Sequence, residues 1–290
     1  MSIIFECERD GQRYVTSPST SGQYTLYPLN SLYHLLRDTP AGQHPGGPLE
    51  YLRARAIQPL TVEDLSGFEL LPCLLPPDPR QGMVCGFGLT HQSKVAEQPA
   101  QDERPAFFIK GFANTLKRSG DVLRMSPGAL SACEEAEVVA LFLVAENGQP
   151  DYIGYTFGND LTDIALAKSR RNYLAYAKLQ PSAISHQFFQ QPLPQLVQGR
   201  TSIYRAGDLH WEQRFSTGLS CLCYQASDLF ETLWQHPPLR LPGTLIYLYM
   251  GADRNSADAG IQLSHGDTVV CDFESGPRLS NLIEWENAHA

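Results

Sequence analysis

Glu135-Ala136-Glu137 opens an apolar run, Val138-Val139-Ala140-Leu141-Phe142-Leu143-Val144-Ala145. The run is β-branched and too short for a comfortable helix, so it reads as a buried strand. Side chains two apart share a strand face, which sets Glu135 and Glu137 side by side, about 7 Å apart along the chain. Glu146-Asn147-Gly148-Gln149-Pro150 signals a tight reversal, and a second strand returns from Asp151 to Phe157. Paired with the first, it carries Asp160 towards the same place. Three carboxylates beside an apolar strand repel one another in low dielectric, and each buried anion is costly unless it is protonated or meets a cation. Oxygen ligands without Cys or His favour a hard divalent ion, Mg²⁺ first, with Mn²⁺ or Ca²⁺ as alternatives. The competing interpretation is an exposed acidic strand start with an unrelated turn residue at Asp160.

Other residues carry chemistry around this core. Phe107-Phe108-Ile109-Lys110 is an apolar strand ending in a cation. Such a lysine can meet a carboxylate or enolate oxygen, or simply reach for solvent at a strand end. Thr90-His91-Gln92-Ser93-Lys94-Val95-Ala96-Glu97 follows a strand at 83–89. His91 titrates near neutrality and suits a general acid/base, with a structural or orienting role as the alternative. Lys94 offers charge to a substrate, and Glu97 either orients a water or pairs with Lys94. Asn114 lies in a polar loop, 111–120. Lys178 ends a helical stretch, where a cation also complements the helix dipole. Gly251 and Ala252 terminate an apolar strand at 245–250. Cys221-x-Cys223 has no second pair at metal-site spacing, so zinc is not expected.

The elements that must position these residues are mostly short strands between Gly/Pro turns, with few helices, which predicts a β-rich α+β protein. A helix is expected over 29–36 with Asn30 as its N-cap, and another over 228–235 capped by Ser227. A hairpin over 201–212 turns at Gly207-Asp208. Pro76-Pro77 marks a boundary between a small N-terminal domain or cap, 1–75, and a main domain, 76–290. The 290 residues are 42% hydrophobic and 18% charged, ordinary for a globular protein. A net charge of −9 argues against nucleic acid or an anionic membrane as partner. No apolar run approaches a membrane span, and the N-terminus lacks a basic leader and long apolar stretch. Seven irregularly spaced cysteines predict free thiols and a reducing cytoplasm.

Several blocks together resemble the fumarylacetoacetate hydrolase superfamily. They are Phe107-Phe108-Ile109-Lys110, Glu135-Ala136-Glu137, Gly154-Tyr155-Thr156 and Asn159-Asp160. Gly88-Leu89-Thr90-His91, Arg171-Asn172-Tyr173-Leu174, Ala177-Lys178-Leu179 and Gly276-Pro277-Arg278-Leu279-Ser280-Asn281 resemble a branch that contains sugar-acid dehydratases. The resemblance runs from about Pro76 to the C-terminus. It implies a mixed β-sandwich roll with a small N-terminal domain, often a homodimer, and a metal held by Glu135, Glu137 and Asp160. It also implies that Lys110 and Lys178 point into the site. The implied chemistry is chelation of a 2-oxo acid and stabilisation of its enolate by the metal, and the branch implies dehydration of a 2-keto-3-deoxy sugar acid. C–C hydrolysis of an acylpyruvate or other 1,3-dicarbonyl stays open, as does a repurposed member serving a biosynthetic pathway. The chain departs from the hydrolase pattern at three places. Lys94 stands at the histidine of the His-x-x-Glu dyad, Pro181-Ser182-Ala183 replaces a Gly-Pro turn, and Ala252 replaces a threonine that touches the substrate carboxylate.

Overall fold

The apolar run forms the strand Ala136–Val144, all nine residues of which are buried. In the computed structural model the described residues are 2–18, 22–39, 47–55, 57–95, 99, 103–274 and 276–286; Glu97 lies outside them. The strand is covered on both faces, which is why it shows no polar alternation. Val139, Leu141 and Leu143 pack with Val84, Tyr247 and Tyr249, and with Ile4, Leu32 and Tyr33 from the N-terminal segment. Ala136 and Val138 face the other way, towards Val197, Ile203, Phe215 and Phe273. Further along that face, Ala140 and Phe142 meet Leu229 and Leu233 of the helix Ala226–Trp234.

Ala136–Val144 pairs antiparallel with Pro150–Asp160 on one side and Leu245–Tyr249 on the other. Gly82–Gly88 runs parallel to Leu245–Tyr249, and Ala106–Phe112 closes that edge. These strands belong to a thirteen-stranded sheet. A five-stranded sheet runs in the order Asp208–Thr217, Val197–Arg205, Thr268–Phe273, Arg278–Trp285, Val122–Met125. Phe157 of the first sheet meets Phe273 of the second at 4.5 Å between ring centroids. The architecture is β-rich α+β with two facing sheets. No helix among the described residues is long and apolar enough to cross a membrane. All seven cysteines are unpaired.

Residues 1–75, expected as a small domain or cap, contribute strands to the large sheet. Ser2–Arg9 pairs antiparallel with Gln187–Gln190. The helix expected over 29–36 runs from Leu32 to Asp38, and its cap is Ser31, not Asn30: Ser31 Oγ accepts from His34 N at 3.3 Å. Ser227 lies inside the helix Ala226–Trp234, and Gln225 stands at its N-cap. The hairpin turns one residue earlier than expected, on Ala206 and Gly207, which both take positive φ, 52° and 91°. That left-handed pair matches the strand twist of a two-residue turn, so the glycine is needed at its second position.

Glu6 ties the N-terminal strand inward. Its buried carboxylate accepts from Leu32 N and Leu74 N, each at 3.1 Å. Burial pushes its carboxyl up to about 7, against the pull of those two N–H groups and Arg13. The folded protein therefore binds this proton more tightly than the unfolded chain. The resulting stabilisation is complete below about 4.5 and is lost as pH rises through about 7. Stability attributable to Glu6 should fall by up to about 3 kcal/mol between pH 5 and 7.5. Urea midpoints of wild type and Glu6→Gln across that range measure the difference; parallel profiles would refute it.

Candidate metal centre

The antiparallel register sets Ala136 opposite Asn159 and Glu137 opposite Gly158, which brings the two acidic strand ends together. Local bonds fix the junction. Asp160 N donates to Glu135 O at 2.9 Å, and Glu135 N donates to Asn159 Oδ1 at 2.9 Å. Thr162 Oγ1 donates to Glu135 Oε2 at 3.0 Å. Glu135, Glu137 and Asp160 each offer an oxygen, and these oxygens lie within 4.8 Å of one another. The competing picture of an exposed strand start and an unrelated Asp160 does not describe this geometry, since Glu137 and Asp160 are buried.

Two lysines complete the cluster. Lys110 Nζ, fully buried, pairs with Asp160 Oδ1 and donates to Leu161 O at 2.9 Å. Lys178 Nζ pairs with Glu135 Oε2, reaches Asp160 Oδ2 at 2.6 Å, and stands 4.5 Å over the Phe108 ring. Burial works to raise the Asp160 carboxyl, but the two ammonium groups outweigh it and hold it below the ordinary carboxylate range. Lys178 is shifted up, because Asp160, Glu135 and Glu137 overcome the cost of burial. Lys110 is shifted down, with burial dominating the attraction of Asp160.

Two cations thus face three carboxylates. Among the described residues no cation pairs with Glu137, whose Oε2 takes one bond, from Gly251 N at 2.6 Å. Burial, followed by repulsion from Asp160 and Glu135, drives the Glu137 carboxyl well up. A buried carboxylate in this position calls for a proton or a cation. An all-oxygen donor set with one uncompensated charge fits a hard divalent ion.

The other expected site residues are placed as follows. Gly251 joins the cluster through its N–H, and Ala252 follows it with a side chain that donates no hydrogen bond. His91 is buried and both ring nitrogens are engaged. Nδ1 accepts from Ser93 N at 3.2 Å, so Nε2 carries the proton and donates to Ser216 O at 2.8 Å. Burial lowers its pKa despite the Ser216 carbonyl and nearby Asp253, which keeps the ring neutral. Lys94 pairs with Asp258. Asn114 is exposed and lines a surface cleft with Lys117, Arg124 and Pro181, which includes none of the carboxylates or lysines of the cluster. Thr162, Asn159, Glu134 and Thr90 have roles that their residue types and spacing do not announce. Glu134, one residue from Glu135, points away and takes Ser256 N and Oγ at 2.7 and 2.6 Å. Asn159 was signalled only as part of the Asn159-Asp160 block.

No protein-family model and no curated protein sequence matches this chain. The fold is nevertheless shared with solved enzyme structures, among them a fumarylacetoacetate hydrolase. A 2-keto-3-deoxy-D-arabinonate dehydratase complexed with magnesium and 2,5-dioxopentanoate superposes with a TM-score of 0.71 at 15% identity, over 98% of this chain and 99% of that one. A fumarylacetoacetate hydrolase from Exiguobacterium antarcticum gives 0.67 at 15% identity, over 99% and 100% of the two chains. A 5-carboxymethyl-2-hydroxymuconate delta-isomerase from Mycobacterium smegmatis gives 0.63 at 17%, over 99% and 100%.

Proposed function

We propose that this chain is a divalent-metal-dependent enzyme that acts on a 2-oxo acid, dehydrating a 2-keto-3-deoxy sugar acid. The observation that carries the proposal is the convergence of Glu135, Glu137 and Asp160 beside two lysines, with Glu137 ion-paired to neither and to no other cation among the described residues. Those carboxylates would hold Mg²⁺, with Mn²⁺ or Ca²⁺ as substitutes. When bound, the ion supplies Lewis acidity towards the keto and carboxylate oxygens of the substrate. Lys110 holds Asp160 in place and is itself fixed by Leu161 O. Lys178, buried beside the partly open Glu135, would turn from the carboxylates to donate to a developing oxyanion. The fold similarity to a dehydratase that binds 2,5-dioxopentanoate with magnesium supports this substrate class.

His91 is proposed as an orienting residue. As an acid/base it would first have to release Ser93 or Ser216. Lys94, held by Asp258, is proposed to offer charge to the substrate; Glu97 lies outside the described residues, and Asn114, in its own surface cleft, is left out of the proposed site. The same reading includes a homodimer in the cytoplasm, with no nucleic-acid or membrane partner. Ala252 favours a second reading, a repurposed member that does not grip a substrate carboxylate through a hydroxyl there. A Mg²⁺-supplemented panel of 2-oxo acids tests the set. Water loss without carbon–carbon cleavage is expected. Two carbon fragments would select an acylpyruvate-type C–C hydrolase, and silence across the panel would select the repurposed member.

A further inference from the structure

Thr90 sits at the centre of a bond chain that ends on Glu137. The strand Gly82–Gly88 leaves the sheet through Leu89, which takes φ +60°, a conformation uncommon for a bulky residue. Leu89 is exposed, and the next residue, Thr90, is fully buried. Thr90 Oγ1 donates to Met250 O at 2.6 Å. The Met250 carbonyl belongs to the peptide whose N–H is Gly251 N, the group that donates to Glu137 Oε2 at 2.6 Å. One peptide plane therefore receives the Thr90 hydroxyl on its oxygen and presents its hydrogen to the carboxylate. Planarity makes the two directions inseparable. Accepting a bond at the carbonyl also polarises the N–H, so the two hydrogen bonds reinforce one another.

The glycine is required by the same contact. Gly251 takes φ +104°, and a Cβ there would run into Thr90 Oγ1. Thr90 is itself anchored, because its carbonyl accepts from Cys223 N at 2.8 Å. The hydroxyl is thus held against a fixed peptide and has no solvent to turn to.

We infer that Thr90 is a positioning residue that orients Glu137 for cation binding through the Met250–Gly251 peptide. The inference rests on the proposed metal centre. Without the hydroxyl the Met250–Gly251 peptide loses the bond on its carbonyl, and the Gly251 N–H is aimed less firmly at Glu137 Oε2. Loss of an outer partner of a metal ligand typically costs ten- to a hundredfold in affinity. For Thr90→Val and Thr90→Ala we expect Mn²⁺ affinity, measured by titration calorimetry on the full chain, to fall by about tenfold. Thr90→Ser, which restores the hydroxyl, should recover near wild-type affinity. The alanine variant avoids placing a methyl against the Met250 carbonyl if the valine variant does not fold. Thermal midpoints recorded alongside separate a general packing loss from an effect on the ion. A lowered midpoint with unchanged Mn²⁺ affinity in the valine and alanine variants overturns the positioning role, while Asp160→Asn still losing affinity would leave the metal centre standing. A wild-type protein that binds no Mn²⁺ overturns both.

Discussion

Asp160→Ala should abolish divalent-metal binding and also destabilise the protein by about 3–5 kcal/mol, the scale for breaking a buried ion pair by removing one partner. Asp160 is fully buried and holds both Lys110 and Lys178. Its removal leaves the Lys110 ammonium without a carboxylate in the interior and Lys178 with Glu135 alone. Glu137→Gln should behave differently. Glu137 has no cation partner among the described residues, and a neutral amide oxygen can still accept from Gly251 N. The repulsion from Asp160 and Glu135 disappears with its charge. Stability without metal should therefore hold or rise, while Mn²⁺ affinity falls by more than about a hundredfold, beyond the loss of an outer partner. Urea unfolding and calorimetry on the two variants decide the matter. Equal destabilisation, or metal affinity unchanged in both, would contradict the site.

Lys178→Met should lower turnover by about 10²–10³-fold, the scale for removing one donor from a developing oxyanion. It should also tighten metal binding. In this structure the Lys178 ammonium neutralises Glu135 and Asp160, the carboxylates a divalent ion would need. Methionine keeps the side-chain bulk and removes the competing charge. The apo variant is then less stable, and added metal recovers more stability than in wild type, because a ligand that binds only the folded state stabilises it by an amount that grows with the logarithm of its affinity. Thermal midpoints with and without Mn²⁺ read the second effect, and kinetics on whichever 2-oxo acid the panel identifies read the first. Wild-type turnover would exclude the oxyanion role, and a smaller metal-induced shift would exclude the competition.

The local chemistry of this protein was legible in its sequence. A β-branched run preceded by Glu135 and Glu137, then an Asn-Gly reversal, specifies two paired strands, and the period of two sets the glutamates on one face. The blocks at 107–110, 154–160 and 177–179 pointed to the fold, and the order of short strands and turns to its class. Caps and turn positions slipped by a residue, at Ser31 and at Ala206-Gly207, because neighbouring residues offer similar local energies and only packing chooses between them. What the sequence could not contain is the charge balance. Lys110, Glu135, Asp160 and Lys178 are spread over 69 positions, and their pairing exists only because an edge strand, two antiparallel strand ends and a short helix meet. Likewise His91 has the side chain of an acid/base, but burial and the positions of Ser93 and Ser216 engage both its nitrogens. Thr90 stands in the Gly88-Leu89-Thr90-His91 block, but its role was not legible there, since a hydroxyl acquires its role from the peptide it meets, and Met250 lies 160 residues away. Side-chain type is local, whereas desolvation and hydrogen-bond partnership are set by distant segments, and those decide which ionisable groups are free to act.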